Sequence, residues 1–71
     1  MTKPIHQELI DGKWYAMNPQ RFYGLLRHCF GPIWSGYERK KMRKAIEKGF
    51  EYDFVLYGKR YRAVSKDAND A

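Results

Sequence analysis

The stretch NPQRFYGLLRHCFGPIWSGYERKKMRKAIEKG, residues 18–49, decides the fold, because it holds two helix-forming runs and the residues that punctuate them. Asn18 offers a side-chain oxygen to the first free backbone N–H groups, and Pro19 suits a first turn, where its missing N–H costs nothing. Phe22, Leu25, Leu26, Cys29 and Phe30 then recur at i, i+3, i+4, i+7 and i+8, one apolar stripe that must pack on something. Gly31-Pro32 stops this helix after Phe30. After a short connection, Ser35-Gly36-Tyr37-Glu38 has the form of a capping box and opens a second helix that closes at Gly49. On that helix Met42, Ala45 and Ile46 share one side. Lys40, Arg43, Lys44 and Lys48 spread over the opposite arc, with Arg39 and Lys41 at its borders.

Outward from this centre the period changes from helical to alternating. Upstream, Asp11-Gly12 separates residues 5–10 from residues 13–17, the strongest short signal for a two-residue hairpin turn, and it sets Leu9 opposite Trp14. Downstream, Phe50, Tyr52, Phe54 and Leu56 alternate with Glu51, Asp53 and Val55, and Gly58-Lys59 is read as a type II′ turn into Arg60-Tyr61-Arg62-Ala63-Val64. That turn would pair Leu56 with Tyr61 and Phe54 with Ala63, leaving Arg60 and Arg62 on the other side. The expected architecture is α+β, a β-hairpin–helix–helix–β-hairpin in one domain over residues 1–71, with flexible ends at 1–4 and 65–71.

Composition narrows the classes of function. At 71 residues there is room for one small core, and 44% hydrophobic with 17% aromatic residues is too apolar for a disordered tail. The lone Cys29 forms no internal disulfide, and with His6 and His28 it gives no zinc-binding spacing, so no metal or cofactor is implied. No run has the length of a signal peptide core or a membrane span, so a reducing cytoplasm and no membrane partner are expected. Neither histidine has an acid or nucleophile at suggestive spacing, and the chain reads as a binding protein and not an enzyme. The net charge of +6 favours polyanionic partners, and residues 37–48 hold six cations against Glu38 and Glu47, most of that excess.

The run Ala45-Ile46-Glu47-Lys48-Gly49, then Gly58-Lys59-Arg60-Tyr61-Arg62, with Ser65-Lys66-Asp67 beyond, resembles the small winged-helix DNA-binding proteins of the phage excisionase and MerR-like group. The order of two helices and a hairpin is that of a winged helix-turn-helix, and the resemblance spans roughly residues 19–67, carried mainly by 45–67. The chain departs from the group where Phe50-Glu51-Tyr52 stands in place of a common proline, and in its N-terminal hairpin. The resemblance implies an architectural role on double-stranded DNA, with protomers side by side and a recombinase as a further partner. A small transcriptional regulator would use the same surface.

Candidate contacts follow from side-chain chemistry. Arg39 and Arg43 suit bidentate base reading, Lys40, Lys41, Lys44 and Lys48 suit phosphate, and Ser35 and Tyr37 suit backbone or base edge. Lys59, Arg60 and Arg62 would extend the same positive surface if the hairpin lies beside the helix. Arg21 and Arg27 read as solubilising, Trp14, Tyr15 and Trp34 as core in preference to base-stacking, and Cys29 as a buried structural thiol. The competing class is a small inhibitor or adaptor of mobile-element origin that meets an acidic protein surface with its aromatics and cations.

Overall fold

Asp11 and Gly12 both take positive φ, 51° and 79°, and so do Tyr57 and Gly58, 52° and 76°. Two such residues in succession make a type I′ turn, whose twist matches that of paired strands. The first turn joins β1 (Pro4–Ile10) to β2 (Lys13–Ala16) with Leu9 opposite Trp14, as the sequence predicts. The second joins β3 (Tyr52–Leu56) to β4 (Lys59–Ser65), and here the register departs from expectation. The turn is Tyr57-Gly58, so Leu56 faces Lys59, Phe54 faces Tyr61 and Tyr52 faces Ala63. Glycine falls at the second turn position, and the two-residue displacement leaves the same side chains on the same face of the sheet.

In the computed structural model, which describes residues 3–66, the hairpins fuse into one antiparallel sheet of order β2-β1-β4-β3. The seam is β1 against β4, running from Pro4 opposite Ser65 to Glu8 opposite Tyr61. The Lys66 N–H also donates to the Lys3 carbonyl at 3.2 Å, which extends the pairing of Pro4 with Ser65 by one residue on each strand. The flexibility expected of 1–2 and 67–71 lies outside the described residues.

Between the hairpins runs α1 (Pro19–Glu47), broken once at Gly31. Asn18 caps it, its Oδ1 accepting from the Gln20 N–H at 2.7 Å. Gly31 takes φ 85° and ψ 169°, a region open essentially to glycine alone, and Pro32 resumes the helix at once. The capping box therefore does not form: Ser35 lies inside the second half (residues 32–47), buried, its hydroxyl donating to the Pro32 carbonyl at 3.4 Å. Pro32 serves as the first-turn residue one turn earlier than Ser35 would have. At the far end the Gly49 N–H donates to Ile46 and the Phe50 N–H to Ala45, the paired bonds of a Schellman ending, which keep Phe50 out of β3 and exposed.

Phe22 and Leu26 from the first half and Met42 and Ile46 from the second meet Phe54, Tyr61 and Ala63 of the sheet in one core layer. Leu25, Cys29 and Phe30 pack at its edge, so the predicted stripe is the buried one, with Cys29 half-buried and its Sγ 3.6 Å from the Val55 carbonyl oxygen. Among the described residues every buried side-chain nitrogen and oxygen has a partner.

Two expectations follow. Gly31→Ala forces a Cβ into a conformation it does not tolerate, a cost of about 1–3 kcal/mol, read as a melting temperature lower by roughly 5–20 °C. An unchanged melt would mean the break is not held as described. His6, buried on β1 against Phe22 with its Nε2 3.2 Å from the Tyr23 hydroxyl, has its pKa lowered by burial. Its unfolded form takes up a proton first, so stability is full above the ordinary value of 6.5 and falls as pH drops from there towards the lowered folded value. Melts at pH 7.5 and 5 are expected to diverge for the native chain and to converge for His6→Phe.

Candidate nucleic-acid interface

Met42 and Ile46, one turn apart, pin the second half of α1 to the sheet, and with Ser35 they define its inner side. The 3.6-residue period then dictates what faces out: Ile33, Tyr37, Lys40 and Lys44 form a stripe, with Trp34, Lys41 and Lys48 on one flank and Arg43 on the other. Arg39, Lys40, Lys41, Arg43, Lys44 and Lys48 are all exposed. Two of these six cations have internal partners. Lys41 pairs with Glu38 at 3.1 Å, and the Arg39 guanidinium lies over the Tyr23 ring, 4.3 Å from its centroid. Lys40, Arg43, Lys44 and Lys48 make no ion pair among the described residues. Lys44 and Lys48 also complement the negative end of the helix dipole.

Glu38 is drawn away from this face. Its Oε1 accepts from the Tyr52 hydroxyl at 2.6 Å, and this bond, with Lys41, holds its carboxyl below the usual range although partial burial opposes the shift. Burial and then the Glu38 carboxylate push the Tyr52 phenol well above its ordinary value. The carboxylate that could have neutralised the helix surface is thus committed to β3, and Glu47 alone remains as an anion on the outer arc.

The closing hairpin does not extend this surface as anticipated. Tyr61 and Ala63 point into the core, so alternation turns Arg60 and Arg62 to the other face of the sheet, away from α1. There Arg62 donates to Gln7 at 2.7 Å, pairs with Glu51 at 3.2 Å and stacks on Trp14 at 4.1 Å from the ring centroid. Arg60 pairs with Asp53 at 3.0 Å. Both side chains cover the outer face of the sheet, and the fold places a layer of backbone between them and the helix cations. Lys59, at the hairpin tip, is on the helix-facing side, exposed. Arg21 of the first half is engaged with Glu8.

Of the other sequence-predicted contacts, Tyr37 is exposed beside Trp34, ring centroids 5.4 Å apart, whereas Ser35 is buried and turned to the helix backbone. Trp34 is a second correction: read as core, it is 65% exposed, and Ile33 beside it is 73% exposed. Once α1 resumes at Pro32, helical spacing puts Trp34 off the Ser35–Met42–Ile46 side that meets the sheet. The apolar trio Ile33, Trp34 and Tyr37 therefore caps the N-terminal end of the basic stripe, a juxtaposition the sequence reading missed.

No protein-family model matches this chain, and no curated protein or solved structure matches it either. Among the described residues no helix is long and apolar enough to cross a membrane.

Proposed function

We propose that this domain binds double-stranded DNA, with the second half of α1 as the element that enters the major groove. The single observation that carries this reading is a cluster: Lys40, Arg43, Lys44 and Lys48 are exposed together on one helical segment with no carboxylate partner among the described residues, whereas Arg21, Arg60 and Arg62 each pair with a carboxylate. A rod about 24 Å long, at 1.5 Å per residue, with cations over its solvent arc fits a groove about 12 Å wide and releases counterions as it does so. Arg43 is positioned for a base edge, and Lys40, Lys44 and Lys48 for phosphates.

The chain order of two helical segments and a hairpin supports use in the manner of a winged helix-turn-helix, although a one-residue break replaces the usual turn between the helices. In that use the hairpin reaches DNA through its tip at Lys59, and Arg60 and Arg62 stay with the sheet. An architectural, excisionase-like role, with copies side by side on bent DNA, or a regulatory one would employ this same face.

Exposed Ile33, Trp34 and Tyr37 favour a second reading, an acidic protein partner gripped by an aromatic anchor with a cationic rim. Anisotropy of a labelled duplex separates the two. The duplex reading predicts that Lys44→Gln weakens binding about 5–10-fold near 0.1 M salt while Trp34→Ala changes it less than about threefold. Absence of duplex binding by the native chain at low salt would turn the assignment to the acidic protein. A larger loss from Trp34→Ala than from Arg43→Ala would point to bases stacked from a single strand.

A further inference from the structure

Gly24 and Gly36 occupy the interiors of the two halves of α1, where glycine is the least favoured residue after proline. Neither takes a positive φ, and a Cβ built on either meets no atom within 4 Å. Neither a turn nor a close packing contact therefore accounts for them. Both line one cleft of about 470 Å³ between the helical halves, together with Tyr23, Arg27, Ser35 and Arg39. Among the described residues no carboxylate lines it. The Arg39 guanidinium carbon lies over the Tyr23 ring, 4.3 Å from its centroid, and neither Arg27 nor Arg39 has an ion pair among the described residues. Two exposed guanidinium groups on one glycine-floored cleft give it a positive potential, and the planar forks that arginine presents suit the oxygens of a phosphate.

We propose that this cleft binds a phosphate group, with Arg27 and Arg39 donating to its oxygens and the bare backbone at Gly24 and Gly36 leaving room for the ester substituents. Resting on the duplex reading above, the source is a phosphodiester of the strand flanking the groove; a free phosphate ester offers the same chemistry. Arg27 then belongs to the binding surface and is not a solubilising residue.

The test uses the full chain and four forms: native, Arg27→Gln, Gly36→Leu, and Lys13→Gln as a control exposed at the first hairpin turn. Amide spectra are followed as sodium phosphate is added against sodium chloride of equal ionic strength, and duplex binding is followed by anisotropy across a range of salt. Phosphate is expected to move the Gly24 and Gly36 amides of the native chain, and the Gly24 amide in Lys13→Gln, but to leave Arg27→Gln and Gly36→Leu unmoved. Arg27→Gln and Gly36→Leu are expected to weaken duplex binding about 5–10-fold, Arg27→Gln with a log-log salt slope shallower by about 0.9. Gly36→Leu is expected to melt no lower than the native chain, since leucine favours the helix, so its loss is not one of folding. A phosphate response with unchanged duplex binding would overturn the backbone source in favour of a free phosphate ester. No phosphate response, or equal losses from Lys13→Gln and Arg27→Gln, would overturn the cleft itself. If the native chain binds no duplex, the duplex reading fails by itself and the phosphate titration alone decides the cleft.

Discussion

Phe22→Ala is expected to lower the melting temperature by roughly 15–30 °C, the largest effect of any single substitution on this fold. Phe22 is fully buried and bridges β1 and β3: its ring lies 5.3 Å from Phe54 at 72° and 4.6 Å from His6, with Tyr23 at 5.7 Å. Truncating a buried phenylalanine costs about 3–5 kcal/mol, through lost burial and the cavity left behind. A chain of 71 residues has about 4–11 kcal/mol of stability in total at the usual density per residue. The variant therefore loses a large part, and at the lower end nearly all, of what keeps it folded. Phe22→Leu retains most of the volume and is expected to cost about 1–1.5 kcal/mol. Circular dichroism melts give both values, and a double-mutant cycle with Phe54→Leu is expected to return a coupling of about 0.5–1.5 kcal/mol for the edge-to-face pair. A Phe22→Ala melt within a few degrees of the native one would mean that α1 does not rest on the sheet through this residue.

The second large effect falls on binding and spares the fold. Changing Lys40, Arg43 and Lys44 together to glutamine is expected to weaken duplex binding by about two to three orders of magnitude near 0.1 M salt, since each counterion released contributes on the order of 1 kcal/mol there. The three side chains are exposed and make no ion pair among the described residues, so nothing in the core depends on them. Glutamine is nearly as good a helix former as lysine, and the melting temperature is expected to stay within a few degrees. A matching triple change at Arg21, Arg60 and Arg62 should show the reverse, a lower melting temperature with little loss of affinity, because those cations are paired within the domain. If both triples weakened binding equally, net charge and not the helix face would be the determinant.

Much of the fold could be read from residues whose signals are local. Asp11-Gly12 fixed the first hairpin and its register, because that pair has few other uses between alternating strands. Asn18, Pro19, Gly31 and Gly49 marked the helix ends through backbone geometry that other residues cannot adopt cheaply. Ser35 misled because two start signals compete within one turn, and Pro32, directly after a glycine that can reverse the chain at once, takes precedence. The second hairpin misled because moving the turn by one residue shifts the register by two, which preserves the in-and-out alternation, so the pattern cannot tell the registers apart.

The joining of β1 to β4 had no local signal, being a contact between opposite ends of the chain. That one pairing governs the site. It makes the closing hairpin half of a continuous sheet, fixes which of its faces meets α1, and so sends Arg60 and Arg62 to the side away from the helix cations. Alternation within 59–65 correctly put Tyr61 and Ala63 on the buried side and the arginines on the other, but it did not show whether that other side continues the cationic arc of the helix. The helix cations were legible because a 3.6-residue period anchored on Met42 and Ile46 is enough to place them. The cleft around Arg27 and Arg39 was not, since it needs the relative placement of two helical halves.

The salt dependence of duplex binding by the native chain reads out directly whether the helix cations sit on DNA. Arg39, Lys40, Arg43, Lys44 and Lys48 on phosphates or groove edges contribute about −4.5 to the slope of log affinity against log salt, and the Lys40, Arg43 and Lys44 triple variant should make the slope shallower by about 2.7. A flat dependence, an identical slope for the two proteins, or no duplex binding at about 50 mM salt would contradict the assignment of this helix face to DNA.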